Sequence, residues 1–213
     1  LSGTYDDFIF NSIRNRNARV IWDIGAHFGY SSIVFSELFK NKMKVFAFEP
    51  NRANFERLQM HLEKNDIDNI QAFDIAISDI NGKLAFIESN DIDSSISTGS
   101  HLDNIMAPRE NNLYERLGFK KSIVDCYTLD YLISEQKLEI PDILKIDVEG
   151  AEFKVISGAK NFLANNKIEL LIEVHNILAM YDILNFLQSY EFHFEILDRD
   201  NSSQSKTYLH CYK

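Results

Sequence analysis

A glycine turn followed by an acid gives this chain a candidate nucleoside site. The stretch Val20-Ile-Trp-Asp-Ile-Gly-Ala-His-Phe-Gly-Tyr-Ser-Ser32 reads as an apolar strand, a turn with Gly25 and Gly29, and the start of a helix. Twenty residues past Gly29, the run Lys44-Val-Phe-Ala-Phe-Glu49 ends on an acid. In a βαβ unit, glycines let the backbone approach a ligand, and an acid ending the second strand can accept hydrogen bonds from ribose hydroxyls. The spacing is Asp-x-Gly-x-x-x-Gly. A dinucleotide fingerprint would need glycine where the chain has His27 and Tyr30. The pyrophosphate-cradling turn is missing, which favours an adenosyl ligand without phosphates over the rival reading, a nicotinamide-dependent oxidoreductase.

Other acids sit in or at the ends of apolar strands: Asp74 within Ile70–Ile77, Asp147 and Glu149 closing the run Asp142–Gly150, and Glu173, with His175, at the end of Ile168–Val174. In open α/β sheets such ends share one rim, and ligands bind beyond it. A carboxylate beside an apolar run is costly unless paired, so the set as a whole reads as functional. Lys145, inside an apolar strand, is expected to pair with Glu149 or Glu173. His61 is assigned to a polar helix face, His193 and His210 to late strands away from the rim, and His101 and Arg109 to an exposed loop. Trp22 and Phe28 are expected in the core or a pocket wall.

The elements that must position these residues follow from periodicity. A leading helix covers Tyr5 to Arg16 within residues 1–19. Strands are expected at Val20–Ile24, Val45–Phe48, Ile70–Ile77, Lys83–Glu88, Ser122–Tyr127, Asp142–Gly150, Ile168–Val174, Phe192–Leu197 and Lys206–Tyr212. Helices are expected from Ser31 or Ser32 to Phe39, from an Asn51 cap with Phe55, Leu58 and Leu62 on one face, from a Thr128 cap to Gln136, over Ala151–Leu163, and over Leu178–Leu187. Asn81-Gly82 signals a hairpin turn. Residues 83–140 read as an insertion, and the aperiodic stretch 88–121 as either a mobile surface loop or a substrate lid. Strands alternating with helices predict a doubly wound, mostly parallel α/β sheet; two strands joined directly at the end predict an antiparallel edge strand.

Composition bounds the rest. The 213 residues predict one domain, 45% hydrophobic and 25% charged, as in an ordinary globular protein. A net charge of −10 argues against a nucleic-acid partner, which needs clustered Lys and Arg, and suits a small-molecule or glycan acceptor. Cys126 and Cys211 have no framework or metal spacing and read as free thiols in a reducing, cytoplasmic compartment. No apolar run is long enough to span a bilayer. The start, Leu1-Ser-Gly-Thr-Tyr-Asp-Asp7, lacks signal-peptide regions and an initiator Met, as in a processed form or an excerpt. Oligomeric state is not readable.

The ordered set Val20–Ser32, Val45-Phe-Ala-Phe-Glu-Pro50, Ala76-Ile-Ser-Asp79, Thr128-Leu-Asp-Tyr-Leu132, Leu144-Lys-Ile-Asp-Val-Glu-Gly-Ala-Glu152 and Ile172-Glu-Val-His175 resembles the FkbM family of S-adenosylmethionine-dependent methyltransferases. The resemblance implies a seven-stranded, Rossmann-like class I methyltransferase fold. It implies that the loop Gly25, Ala26, His27 to Gly29 passes under the methionine and ribose of S-adenosylmethionine, and that Asp23 helps hold the amino group. Glu49 would take the ribose hydroxyls, Asp74, Ile75 and Ala76 would flank the adenine, and Asp147 would face the methyl; Ser32 and Pro50 complete the cofactor-binding set. The family pattern has Asn where this chain has His27.

The implied reaction is O-methylation of a hydroxyl on a sugar or secondary metabolite. A hydroxyl needs its proton removed, and a positioned base supplies about 10²–10⁴-fold. His175 is the first candidate because its unperturbed pKa lies near neutrality, with Asp147 and Glu149 next. Asp147, Glu173 and His175 at adjacent strand ends could instead bind a hard divalent metal that acidifies the acceptor. A catalytically silent cofactor-binding module is the rival from another class.

Overall fold

A computed structural model describes residues 7–14, 16–39, 43–89, 101–102, 119–197 and 207–213. Most of the stretch expected to form a lid lies outside the described residues. The elements in chain order are α1 Asp7–Ile13, β1 Val20–Ile24, α2 Tyr30–Leu38, β2 Lys44–Phe48, α3 Arg52–Lys64 and β3 Ile70–Phe73. They continue with β4 Ala76–Ile77, β5 Gly82–Ser89, β6 His101–Leu102, β7 Phe119–Tyr127, α4 Leu129–Ser134 and β8 Ile143–Ile146. Last come α5 Glu152–Ser157, α6 Lys160–Asn165, β9 Glu169–Val174, α7 Ile177–Gln188, β10 His193–Leu197 and β11 Thr207–Tyr212.

Seven strands form one sheet in the order β10-β11-β9-β8-β1-β2-β3. The chain leaves β1 for β2 and β3 on one side and returns to β8 and β9 on the other. The boundary between β1 and β8 is therefore the topological switch point, where a crevice opens beyond the strand ends. All five residues of β1 are buried, because helices cover both faces. Successive side chains alternate between them. Trp22 and Ile24 pack with Phe46, Phe48, Leu144 and Ile146 on one face. Ile21 packs with Val45, Phe35, Leu58 and Leu62 on the other.

The antiparallel element at the sheet edge takes a specific form: β11 runs against β9, and β10 returns outside it. The hydrophobic β11, with Tyr208, Leu209 and Cys211 buried, takes the inner place, and the largely exposed β10 takes the rim.

Four expectations are corrected. The strand read over Ile70–Ile77 breaks at Asp74-Ile75, so that β3 stays in the main sheet and β4 joins a second sheet, β4-β7-β5-β6. Asn81-Gly82 makes no hairpin, because β7 lies between β4 and β5 and offers β5 a ladder along its whole length. The helix expected over Ala151–Leu163 is two, α5 and α6, broken at Gly158, where a Cβ would lie 2.2 Å from the Ser78 carbonyl oxygen. Finally, α2 is capped by Gly29 in the left-handed region at φ 94; Ser31 and Ser32 lie inside its first turn. Asn51 and Thr128 do cap α3 and α4, accepting from Asn54 N and Tyr131 N.

Candidate active site

The loop leaving β1 is fastened to β2. Gly25 and Ala26 N–H both donate to the Phe48 carbonyl, at 3.0 and 3.1 Å. Gly25 adopts φ 81 and His27 φ 53. A side chain at Gly25 would place its Cβ 1.8 Å from the Asp147 carbonyl oxygen, so β1 and β8 approach as closely as glycine allows.

Glu49 ends β2 at the turn into α3. One carboxylate oxygen accepts from His27 N at 2.8 Å and the other from Asn51 N at 2.9 Å. Burial pushes its pKa up to about 7, against the opposing pull of these amides and of the Asn54 side chain. His27 is driven the other way, to about 4, first by burial and then by Lys145 and Arg57. Its imidazole is neutral, and its buried Nε2 has no hydrogen-bond partner among the described residues.

Asp23 lies fully buried beneath the loop. Its Oδ2 accepts from Ser31 and Ser32 Oγ at 2.7 and 2.6 Å, and Oδ1 stands 3.1 Å from Lys145 Nζ. Lys145 therefore pairs most closely with Asp23, and at 3.5 Å with Asp147, while the charge of Glu173, one of the two expected partners, also acts on it. The cause is register: Asp23 and Lys145 are direct partners across the parallel β1–β8 ladder. Burial alone would drive the ammonium towards neutrality, but the charges of Asp23 and Asp147 outweigh it and hold the Lys145 pKa above the ordinary value. Such a lysine serves as a fixed cation.

At the ends of β8 and β9, His175 is ringed by acids. Nδ1 lies 2.6 Å from Glu152 Oε1, and Nε2 lies 3.4 Å from Glu149, 3.4 Å from Glu173 and 3.7 Å from Asp147. Burial opposes its charge, but Glu152 and Glu173 by hydrogen bonding and Glu149 by its charge raise the pKa to about 10. The surrounding acids thus favour the imidazolium form. It also stands behind the acids rather than in the cleft wall. Both features argue against the expected role of His175 as general base: a protonated ring cannot take a proton, and its unperturbed pKa does not apply here.

These parts meet at one cleft of about 600 Å³ beyond the β1–β8 switch point. Gly25, Ala26 and His27 form one wall, and Glu49 and Pro50 another. Ile75 and Ala76 lie on the apolar side, while Lys145, Asp147, Glu149 and Glu173 bring the charge. Not every residue in the expected cofactor set reaches it. Asp23 and Ser32 support the loop from below. Gly29 starts α2. The Asp74 carboxylate is held by Arg52 Nη1 at 2.8 Å, away from the cleft.

Sequence reasoning left three contributors unassigned. Phe10 and Tyr30 line the cleft, with rings edge to face. Glu152, fully buried, holds His175 and accepts from Gly150 N at 2.8 Å. Its signal was available: an acid opening α5, at the end of Asp147-Val-Glu-Gly-Ala-Glu152, can turn back onto the amide of the preceding turn, here Gly150 N. Trp22 is core, with Nε1 donating to the Glu139 carbonyl. Phe28 lies at the cleft mouth, its carbonyl 2.9 Å from His61 Nδ1. Both cysteines are free and buried, and no helix among the described residues is long and apolar enough to cross a membrane.

A doubly wound sheet of this order, with a glycine loop and an acid-ended second strand at its switch point, defines a Rossmann-like methyltransferase. The chain belongs to the FkbM methyltransferase family: residues 23–194 match the model of the methyltransferase FkbM domain. It is 31% identical over 181 residues to the 2-O-methyltransferase NoeI of Sinorhizobium fredii, a match covering 81% of this chain and 72% of that protein. It is 26% identical over 183 residues to the hexuronic acid methyltransferase AglP of Haloferax volcanii, covering 85% and 67%. Among solved structures, the methyltransferase FkbM of Methylobacillus flagellatus superposes with a TM-score of 0.65 at 18% identity. That match covers 92% of this chain but 44% of the longer protein.

Proposed function

We propose that this chain transfers the methyl group of S-adenosylmethionine to a hydroxyl of a sugar. The observation that carries the reading is the pairing, in one cleft, of an amide-held Glu49 on one side with Asp147 and Glu149 on the other, in a chain whose relatives include NoeI and AglP. The cleft fits the donor. The glycine turn leaves room against the backbone, Glu49 offers carboxylate oxygens to ribose hydroxyls, and the His27 Nε2 atom awaits a partner. The acids also favour a sulfonium cation.

When bound, the donor supplies a methyl carbon attached to a positively charged sulfur. The Gly25–His27 backbone and Glu49 hold its nucleoside and so fix the line of displacement. Asp147 and Glu149 accept the proton of the acceptor hydroxyl. The acceptor oxygen bonds to the methyl carbon, the carbon–sulfur pair stays on sulfur, and S-adenosylhomocysteine leaves. Lys145 keeps Asp147 oriented and balances its charge. The free, buried thiols support a reducing compartment, and we place the reaction in the cytoplasm.

The direct test supplies radiolabelled donor and a panel of hexoses, hexuronic acids and oligosaccharides carrying unsubstituted hydroxyls. Label is expected in the sugar, as a methyl ether. Transfer confined to amines or non-sugar metabolites would overturn the acceptor class.

A second expectation follows from Glu49. Ribose hydroxyls donate to the ionised carboxylate, so ligand binding expels the proton that Glu49 holds up to a pH of about 7. Affinity for S-adenosylhomocysteine should therefore rise with pH, by up to about tenfold between about pH 6 and 8, and then level off. Glu49→Gln should bind more weakly and lose that slope. Calorimetric titration of both proteins checks it, and parallel slopes would remove Glu49 from the ribose.

A further inference from the structure

The cleft also brings together three candidate metal ligands, Asp147, Glu149 and His175, whose ligating atoms all lie within 4.8 Å of one another. We propose that these residues bind a divalent cation of the manganese or magnesium class, and that this cation chelates two neighbouring hydroxyls of the acceptor. The second half of that statement rests on the sugar reading above; the first does not.

Three observations carry it. His175 Nε2 is buried and faces three carboxylates, Glu149 and Glu173 at 3.4 Å and Asp147 at 3.7 Å. Its orientation is imposed from behind: Glu152, itself buried and tied to Gly150 N, takes Nδ1 at 2.6 Å. A carboxylate that fixes the far nitrogen of a histidine is the usual support of a metal-ligating imidazole. The spacing also suits an ion. Two ligands about 2.1–2.4 Å from a shared cation, at roughly a right angle, stand about 3–3.4 Å apart, and the Nε2 to Glu149 distance is 3.4 Å. Mostly oxygen ligands with one imidazole select a hard or borderline divalent ion. Two carboxylates and a neutral ring balance its charge.

The cation would face the acceptor, because Asp147 and Glu149 line the cleft while His175 stands behind them. A bound cation takes up negative charge on the reacting oxygen as the proton leaves, and monodentate ligation leaves each carboxylate its second oxygen to receive that proton. Glu173, 3.4 Å from Nε2, neighbours the same point.

The test titrates Mn²⁺ alone into the chain, without donor or acceptor, and follows the loss of free-ion signal by electron paramagnetic resonance. One site per chain is expected. His175→Ala and Glu149→Gln should each weaken it at least tenfold, and Glu152→Gln by roughly 10–100-fold, with S-adenosylhomocysteine binding retained as evidence of folding. Glu149, the most exposed of these acids, serves if His175→Ala does not fold. The proposal falls if no stoichiometric site is found, if these variants bind Mn²⁺ like the parent chain, or if methyl transfer keeps its full rate after chelation with EDTA. A chain that binds Mn²⁺ at one site yet methylates no sugar would overturn the acceptor reading alone.

Discussion

Asp147→Asn is expected to lower methyl-transfer turnover by about 10²–10⁴-fold, the usual contribution of a positioned proton acceptor. The replacement keeps the shape of the side chain and removes its charge and its capacity to take a proton. The fold should survive it, because Lys145 keeps its closer partner Asp23 at 3.1 Å, so the buried ammonium is not left alone. The loss should appear in the single-turnover rate with saturating donor and acceptor, while the melting temperature stays near that of the parent. Glu149→Gln provides the comparison: a carboxylate pair that shares the proton would show a loss in both variants. Full turnover in Asp147→Asn would place the proton acceptor elsewhere and withdraw the mechanism.

Gly25→Ala should produce the largest structural effect of any single methyl group here. Its Cβ would lie 1.8 Å from the Asp147 carbonyl oxygen, on a backbone at φ 81. That oxygen cannot step aside, since Asp147 N donates to the Ile24 carbonyl at 3.0 Å and the neighbouring residues are locked in register. The left-handed backbone costs about 1–2 kcal/mol with a side chain, and forcing packed strands apart adds about 1–3 kcal/mol. For a chain of this size each kcal/mol lowers the melting temperature by about 2–4 °C, so a fall of roughly 5–20 °C is expected, with loss of S-adenosylhomocysteine binding. Gly29→Ala is the milder control, because its Cβ meets the flexible end of the Leu58 side chain at 2.3 Å. Gly82→Ala, which meets nothing, should be milder still at the contact level. Equal melting temperatures for Gly25→Ala and the parent would refute the close-approach argument.

Much of the fold was legible because its signals are local. The apolar runs of β1, β2, β8 and β9, the Asn51 and Thr128 caps, and the glycine turn before an acid-ended strand each depend on a few adjacent residues. Failures fell where distant segments competed. Asn81-Gly82 carries a hairpin signal, yet the ladder that β7 offers β5 decided the pairing. Gly158 looked tolerable inside a helix until its packing against Ser78 required a break. Asp74 follows an apolar run as Glu49 does, but Arg52, the first residue of α3, captures it.

By itself, the sequence determined the class of enzyme, a methyltransferase of the FkbM family, through a glycine turn and acids gathered at the lip of a parallel sheet. Those features follow from residue types at short spacing, where turn geometry and strand alternation act without help. Only the tertiary structure decided which charges face one another. Lys145 meets Asp23 because two strands separated by more than a hundred residues align in register. The pKa of His175 rises because acids that follow β8, open α5 and end β9 converge on it. Electrostatic state depends on distance and burial in space, and no local pattern encodes either.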